Sequence, residues 1–95
     1  MISIKELREI TEQSKITAKQ NFHKWLQERE ESITQQLKEQ ALKGNRLCNY
    51  PFPQVIDKYP YTITEMKEIL KEEFPDFIIT SDGQTQGTYW FILEW

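Results

Sequence analysis

FIITSDGQTQGTYWFILEW, residues 77–95, is the stretch that decides the fold. Two β-prone runs flank a Gly/Asp turn, the pattern of a β-hairpin. In the second run Tyr89, Phe91, Leu93 and Trp95 point one way and Trp90 and Ile92 the other, because strand side chains alternate between faces. Both faces are therefore apolar. A hairpin closing a small protein ordinarily has one face in the core and one in water. A chain of 95 residues has little left to cover the second face, so the hairpin predicts self-association or a bound partner.

Upstream of the hairpin, Thr62 or Thr64 caps a helix over residues 63–74, with Glu65 in its first turn. Ile63, Met66, Ile69, Leu70 and Phe74 form its buried face, and Pro75 ends it. Before it, Pro51, Pro53 and Pro60 keep residues 54–59 out of any long regular element, and residues 46–52 read as a short edge strand. Tyr59-Pro60-Tyr61 reads as an extended stretch that lays its rings on a surface.

The N-terminal segment opens with Ser3 and Glu6 spaced as a capping box, Ile2 standing at the staple position. Ile4, Leu7, Ile10, Ala18, Phe22, Trp25, Ile33, Leu37 and Ala41 then recur at helical spacing, with Ser14 and Arg29 filling the gaps. No Pro or Gly falls in residues 1–43, and Gly44-Asn45 follows as a stop. The pattern predicts one long or gently broken helix, about 60 Å over about forty residues at 1.5 Å each. A break near Thr11–Thr17 is the alternative, because β-branched and polar residues are dense there. The stripe is narrow, closer to a coiled-coil seam than to a core face. The expected fold is α+β in the order α-β-α-β-β: a single domain, 1–95, of a helical segment over 1–43 that overhangs a small core over 44–95.

Residues 1–45 carry eight Lys/Arg against seven Glu, whereas residues 46–95 carry four Lys/Arg against eight Asp/Glu. That acidic half lacks the basic footprint that phosphate contacts require, so nucleic-acid binding is disfavoured. One cysteine, Cys48, cannot form an internal disulfide and reads as a small buried strand residue. No apolar run approaches a membrane span, and the polar start lacks an apolar signal core, so the expected setting is cytoplasmic with no membrane.

The chain carries no chemical motif. His23 is the only histidine and reads as a partly exposed surface residue of the first helix. Glu28, Glu30 and Glu31, like Glu65, Glu68, Glu72 and Glu73, read as solvated helix faces rather than as a divalent-metal site. No Cys/His metal spacing and no phosphate loop is present, so neither enzyme nor cofactor is expected. The aromatics point instead to contacts. Phe22, Trp25, Ile33 and Leu37 make the expected oligomer interface, most simply a dimer. Tyr59 and Tyr61, in the proline-stiffened segment, with Trp25 form the expected partner-binding site, because a stiff segment loses little entropy on binding.

Ile33, Leu37, Ala41 and Gly44, then Leu47 and Tyr50, then Met66, Ile69 and Leu70, and finally Phe77, Ile79, Tyr89, Phe91 and Trp95 make up a layout that resembles small phage and prophage proteins of unknown function. Those proteins have a polar N-terminal helix, a short strand with an aromatic, a second helix and a hairpin ending in Trp. The resemblance spans residues 30–95, rests on core and turn positions, and departs at Phe74-Pro75-Asp76, where the usual pattern has a Gly. It implies a fold and a phage origin: an accessory protein that binds a host or phage macromolecule, inhibiting a host enzyme or defence system or sequestering a small signalling ligand. A nucleic-acid-binding helix and wing, or a virion assembly role, are the alternatives.

Overall fold

The computed structural model describes residues 1–95 as three helices and two antiparallel sheets, an α+β fold with a long N-terminal helical segment. Helix α1, Ile4–Glu28, starts where the Ser3 hydroxyl accepts the Glu6 N–H at 3.1 Å. Helix α2, Glu30–Leu42, follows after a single residue, Arg29. The break falls there and not at Thr11–Thr17. The Arg29 N–H bonds back to the Leu26 carbonyl, three residues away, so the ladder of four-residue bonds skips at this point. No Pro or Gly marks the place. What differs on either side is the packing, α1 against α3 and α2 against the first strand.

The main sheet has three strands: β1, Leu47–Pro53, β4, Ile78–Thr85, and β5, Thr88–Glu94, in the order β1-β5-β4. Strand β1 is an edge, which is why it tolerates Pro51 opposite Trp90. The hairpin turn lies at Gln86-Gly87, with Gly87 at φ 78°, and Thr85 pairs with Thr88. Of the Gly/Asp residues between the two runs, Asp82 and Gly83 lie before the turn. Those residues form a bulge, since Ser81 and Gln84 face Phe91 and Tyr89 and one residue of β4 is extra. Gly83 takes φ 89°, which other residues rarely adopt. The proline-rich segment makes a two-residue hairpin of its own, β2, Val55–Ile56, on β3, Tyr59–Pro60. Its turn holds Asp57 and Lys58 at φ 49° and 66°, a strained choice for residues other than glycine.

Helix α3, Ile63–Glu73, begins in a complete capping box: the Thr62 hydroxyl accepts the Glu65 N–H and the Glu65 carboxylate accepts the Thr62 N–H, both at 3.1 Å. Met66, Ile69 and Leu70 are buried, in one cluster with Ile79, Phe91 and Leu93, and Phe74, Phe77 and Tyr89 pack at its margin. Phe52 sits at the centre of the aromatic part, 6.2 Å from Phe22 and 5.8 Å, edge on, from Phe91. Each large side chain removed from water in this way contributes about 1.5–3 kcal/mol.

All the cover lies on one side. The register puts Cys48, Leu93 and Ile79 in one row on the helix side, and all three are buried. Leu47, Glu94 and Ile78 share the next row on the other side, where Leu47 and Ile78 are exposed. The helical segment also overhangs the core: every residue from 1 to 17 is exposed, and the molecule is 59 Å long but only 23 × 20 Å across. No helix is long and apolar enough to cross a membrane.

Candidate functional site

The proline-stiffened segment and α1 meet at one edge of the molecule. Trp25 reaches this edge from α1. Its ring stacks on Phe22 at 6.0 Å and tilts against Phe52 at 5.8 Å, while the Arg29 guanidinium carbon lies 4.3 Å from its centroid. A cation over an indole ring is attracted by the ring's quadrupole, so Arg29 fixes the ring that Phe22 and Phe52 support. Beside it stand half-buried Ile56, exposed Val55 and the Asp57-Lys58 turn. A shallow groove of 220 Å³ runs between them, lined by Lys24, Trp25, Arg29, Ile56 and Asp57 among others.

Of the three residues expected to bind a partner, the structure leaves two at the surface. Trp25 is half-buried at the edge just described. Tyr59 is half-buried, its hydroxyl donating to Glu65 Oε2 at 2.6 Å. That bond, with burial and the nearby Glu65 charge, pushes Tyr59 up to about 12. Burial alone would raise the Glu65 carboxyl, but the bonds from Tyr59 and Thr62 and the charge of Lys15 outweigh it and hold the carboxyl below its ordinary value.

Tyr61 is a correction. It is buried in the core, donating its hydroxyl to the Ala18 carbonyl at 2.6 Å while its own carbonyl accepts from Tyr89 at 2.8 Å. Burial first, then the neighbouring Tyr59, Asp57 and Glu65, push it up to about 12. Its ring spans from β3 to α1 because the short hairpin folds under the helix rather than away from it.

The expected oligomer interface needs correcting in the same way. Phe22 and Ile33 are buried in the chain's own core, and Leu37 packs against it. The stripe from Ala18 onward is used up within the chain because α3 and the sheet reach that far. Its unused portion is N-terminal, at Ile4, Leu7 and Ile10, all exposed.

The charged side chains serve as fasteners. Lys19 Nζ lies 2.9 Å from Glu72 Oε2, and His23 Nδ1 contacts Glu73 Oε1, so α1 is tied to the end of α3. His23 is partly exposed, as expected, but held in this clamp, and Glu72 and Glu73 have partners that sequence spacing could not supply. No three His, Cys, Asp or Glu side chains converge to hold a metal ion. Burial, and Glu39 after it, raise the Cys48 thiol above its ordinary value, which disfavours the nucleophilic thiolate.

The second exposed feature is the uncovered side of the sheet. Ile92 and Trp90 project there from the central strand, with Leu47 and Ile78 across from the neighbouring strands. The Asn49 amide donates to Asp82 Oδ2 at 2.7 Å, bridging from β1 to β4 over β5, and the Trp90 indole N–H donates to Thr85 Oγ1 at 3.2 Å. Alternation along residues 89–95 already put Trp90 and Ile92 on this side; that the side stays bare follows only from where the helices lie.

Comparison with protein-family models, with curated proteins and with solved structures gives no match for this chain.

Proposed function

We propose that the chain is a non-enzymatic binding module: a small accessory protein, of the phage or prophage kind its layout resembles, that docks on a host or phage protein through the Trp25 edge. The observation that carries this reading is the Trp25–Arg29 pair beside a hairpin stiffened by Pro53 and Pro60. Trp and Arg dominate binding energy at protein interfaces, and rings already held in place lose little freedom on docking. The Asp57-Lys58 turn, positive in φ at both residues as a two-residue hairpin requires, holds Ile56 and Tyr59 paired beside this edge. In a phage setting such docking inhibits a host enzyme or defence system.

The test uses exposed residues that do not hold the core. Immobilised wild-type chain and an Arg29→Glu/Val55→Asp variant are compared for proteins retained from a bacterial lysate, with melting curves recorded for both. A protein kept by the wild type and lost by an equally stable variant supports the Trp25 edge. Equal retention by both, or retention of low-salt DNA in place of protein, overturns it.

A further inference from the structure

Two apolar surfaces of this chain lack a partner within it, and they fit each other. One is the bare side of the three-stranded sheet, the other the overhanging part of α1. We infer that the first four turns of α1 in one copy lie on the bare sheet face of a second copy, reciprocally, as a two-fold dimer.

Orientation supports the exchange. Leu7, Thr11, Ser14, Ala18 and Phe22 follow one another at steps of three or four residues, so the arm's stripe continues the row that meets the core. The arm therefore faces the side on which its own sheet lies. A second sheet placed beside the first and turned over presents its bare face to that stripe. The same rotation brings the second arm under the first sheet, so one two-fold axis satisfies both surfaces.

Dimensions agree as well. The arm from Ile4 to Thr17 is about 21 Å long at 1.5 Å per residue. Strand β5 is about 24 Å long at 3.4 Å per residue. Three strands at about 4.8 Å spacing make the face about 14 Å wide, roughly 330 Å² in plan. A stable interface buries about 800 Å² from each partner. One surface alone falls well short, whereas exchange engages both on each copy, roughly 660 Å², at the lower end of the about 600–1,000 Å² per partner that stable interfaces bury.

One basic flank of the arm suits the acidic sheet. No Lys or Arg occurs in β1, β4 or β5, and the only charged residues of these strands, Asp82 and Glu94, are acidic. Glu94 shares its row with exposed Leu47 and Ile78, and Asp82 bonds across the bare face to Asn49. Arg8 and Lys15 flank the Leu7–Ser14 stripe at helical spacing and neither has an ion-pair partner in its own chain, while Glu6, Glu9 and Glu12 balance the arm's charge as a whole. The Asn49–Asp82 bridge crosses the middle of the face. Two flat sheets would collide over it, but a helix can set Leu7 and Ile10 against the apolar side chains around it.

The experiment uses full-length chains in a Cys48→Ser background. Light scattering at high micromolar concentration is expected to give twice the 11.5 kDa of one chain. Leu7→Asp and Ile92→Asp, both away from the core, are each expected to halve that mass without moving the low-concentration melt. Under oxidation a mixture of Leu7→Cys and Ile92→Cys chains is expected to give the mixed disulfide. Self-pairs of position 7 alone would indicate two arms wound together and overturn the inference; self-pairs of position 92 alone would indicate face-to-face sheets and do the same. A monomer mass at high micromolar concentration also overturns it. None of these outcomes touches the Trp25 edge, whose own variants lie elsewhere.

Discussion

Helix α1 contains its own control. Its two halves carry the same stripe in the same helix, yet Phe22 is wholly buried and Leu7 is 48% exposed. Helical spacing states which side of a helix is apolar; it does not state whether anything lies on that side. The dividing line near Ala18 is set by the reach of the core, where Tyr61 bonds to the Ala18 carbonyl and Lys19 and His23 tie the helix to α3. Beyond that point the helix has an apolar stripe and nothing within its own chain to bury it against.

The comparison breaks first under truncation. Phe22→Ala removes a ring enclosed by Trp25, Phe52 and Tyr61, and is expected to lower unfolding free energy by about 3–5 kcal/mol. Leu70→Ala, on the helix that covers the sheet, should cost about 2–5 kcal/mol. Leu7→Ala is expected to cost under about 0.5 kcal/mol as an exposed substitution, measured by denaturant titration at low micromolar concentration where single chains prevail. A loss near that of Phe22→Ala at that concentration would mean that the arm is packed within one chain. A loss that grows with concentration would sharpen the contrast, because it would place the arm's partner in another copy.

The Tyr61 bond is a smaller probe of the same boundary. Tyr61→Phe keeps the ring and removes the bond to Ala18, an expected cost of about 0.5–1.5 kcal/mol. It should also change the alkaline limb of stability. Tyr59 and Tyr61 are both pushed up from 10 to about 12 in the folded chain. The unfolded chain therefore loses these protons first as pH rises, so their contribution is complete below pH 10 and disappears between 10 and 12. Tyr61→Phe should flatten that decline relative to wild type, leaving the part due to Tyr59. An unchanged alkaline slope would show that Tyr61 is not shielded as its position under α1 requires.

Much of this was legible in the sequence, and the misses share a cause. The α+β class, a cap at Thr62 or Thr64, the stop at Phe74 and the covered face of β5 all follow from local patterns: period, caps and proline. Tyr61, Phe22 and Ile33 were expected at an interface and lie in the core, because local pattern carries no record of what folds back onto a residue. Asp82-Gly83 and Gly87 read together as hairpin chemistry, and the structure divides them: Gln86-Gly87 is the turn closed by Thr85 and Thr88, and Asp82-Gly83 is a bulge. The helix break at Arg29 has no local signature. It is imposed where the helical segment passes from one packing partner to the next. Trp25 is half-buried at the edge, and the cation above it is visible in the sequence only as a neighbour four residues away.

The finest form of the comparison sets one helix cap against the other. Ser3 and Thr62 do the same work, each hydroxyl accepting the N–H three residues on at 3.1 Å. Replacing such a cap by Ala typically costs about 1 kcal/mol of helix stability. Whether that cost reaches the whole protein depends on whether the first turn can unravel without disturbing the core. At α3 it cannot: Met66, one turn in, is fully buried, and Glu65 also holds Tyr59. Thr62→Ala should therefore lower the global unfolding free energy by about 1 kcal/mol. At α1 the first turn is surrounded by water and can fray on its own, as chain ends with few buried contacts do. Ser3→Ala should leave the denaturant midpoint of the single chain unchanged and instead speed amide hydrogen exchange in the arm, from about Leu7 to Thr11. A midpoint shift for Ser3→Ala equal to that for Thr62→Ala, at a concentration where the chain is monomeric, would erase the distinction between the two halves of α1. A shift that appears only as concentration rises would assign the missing contacts of the arm to a second copy.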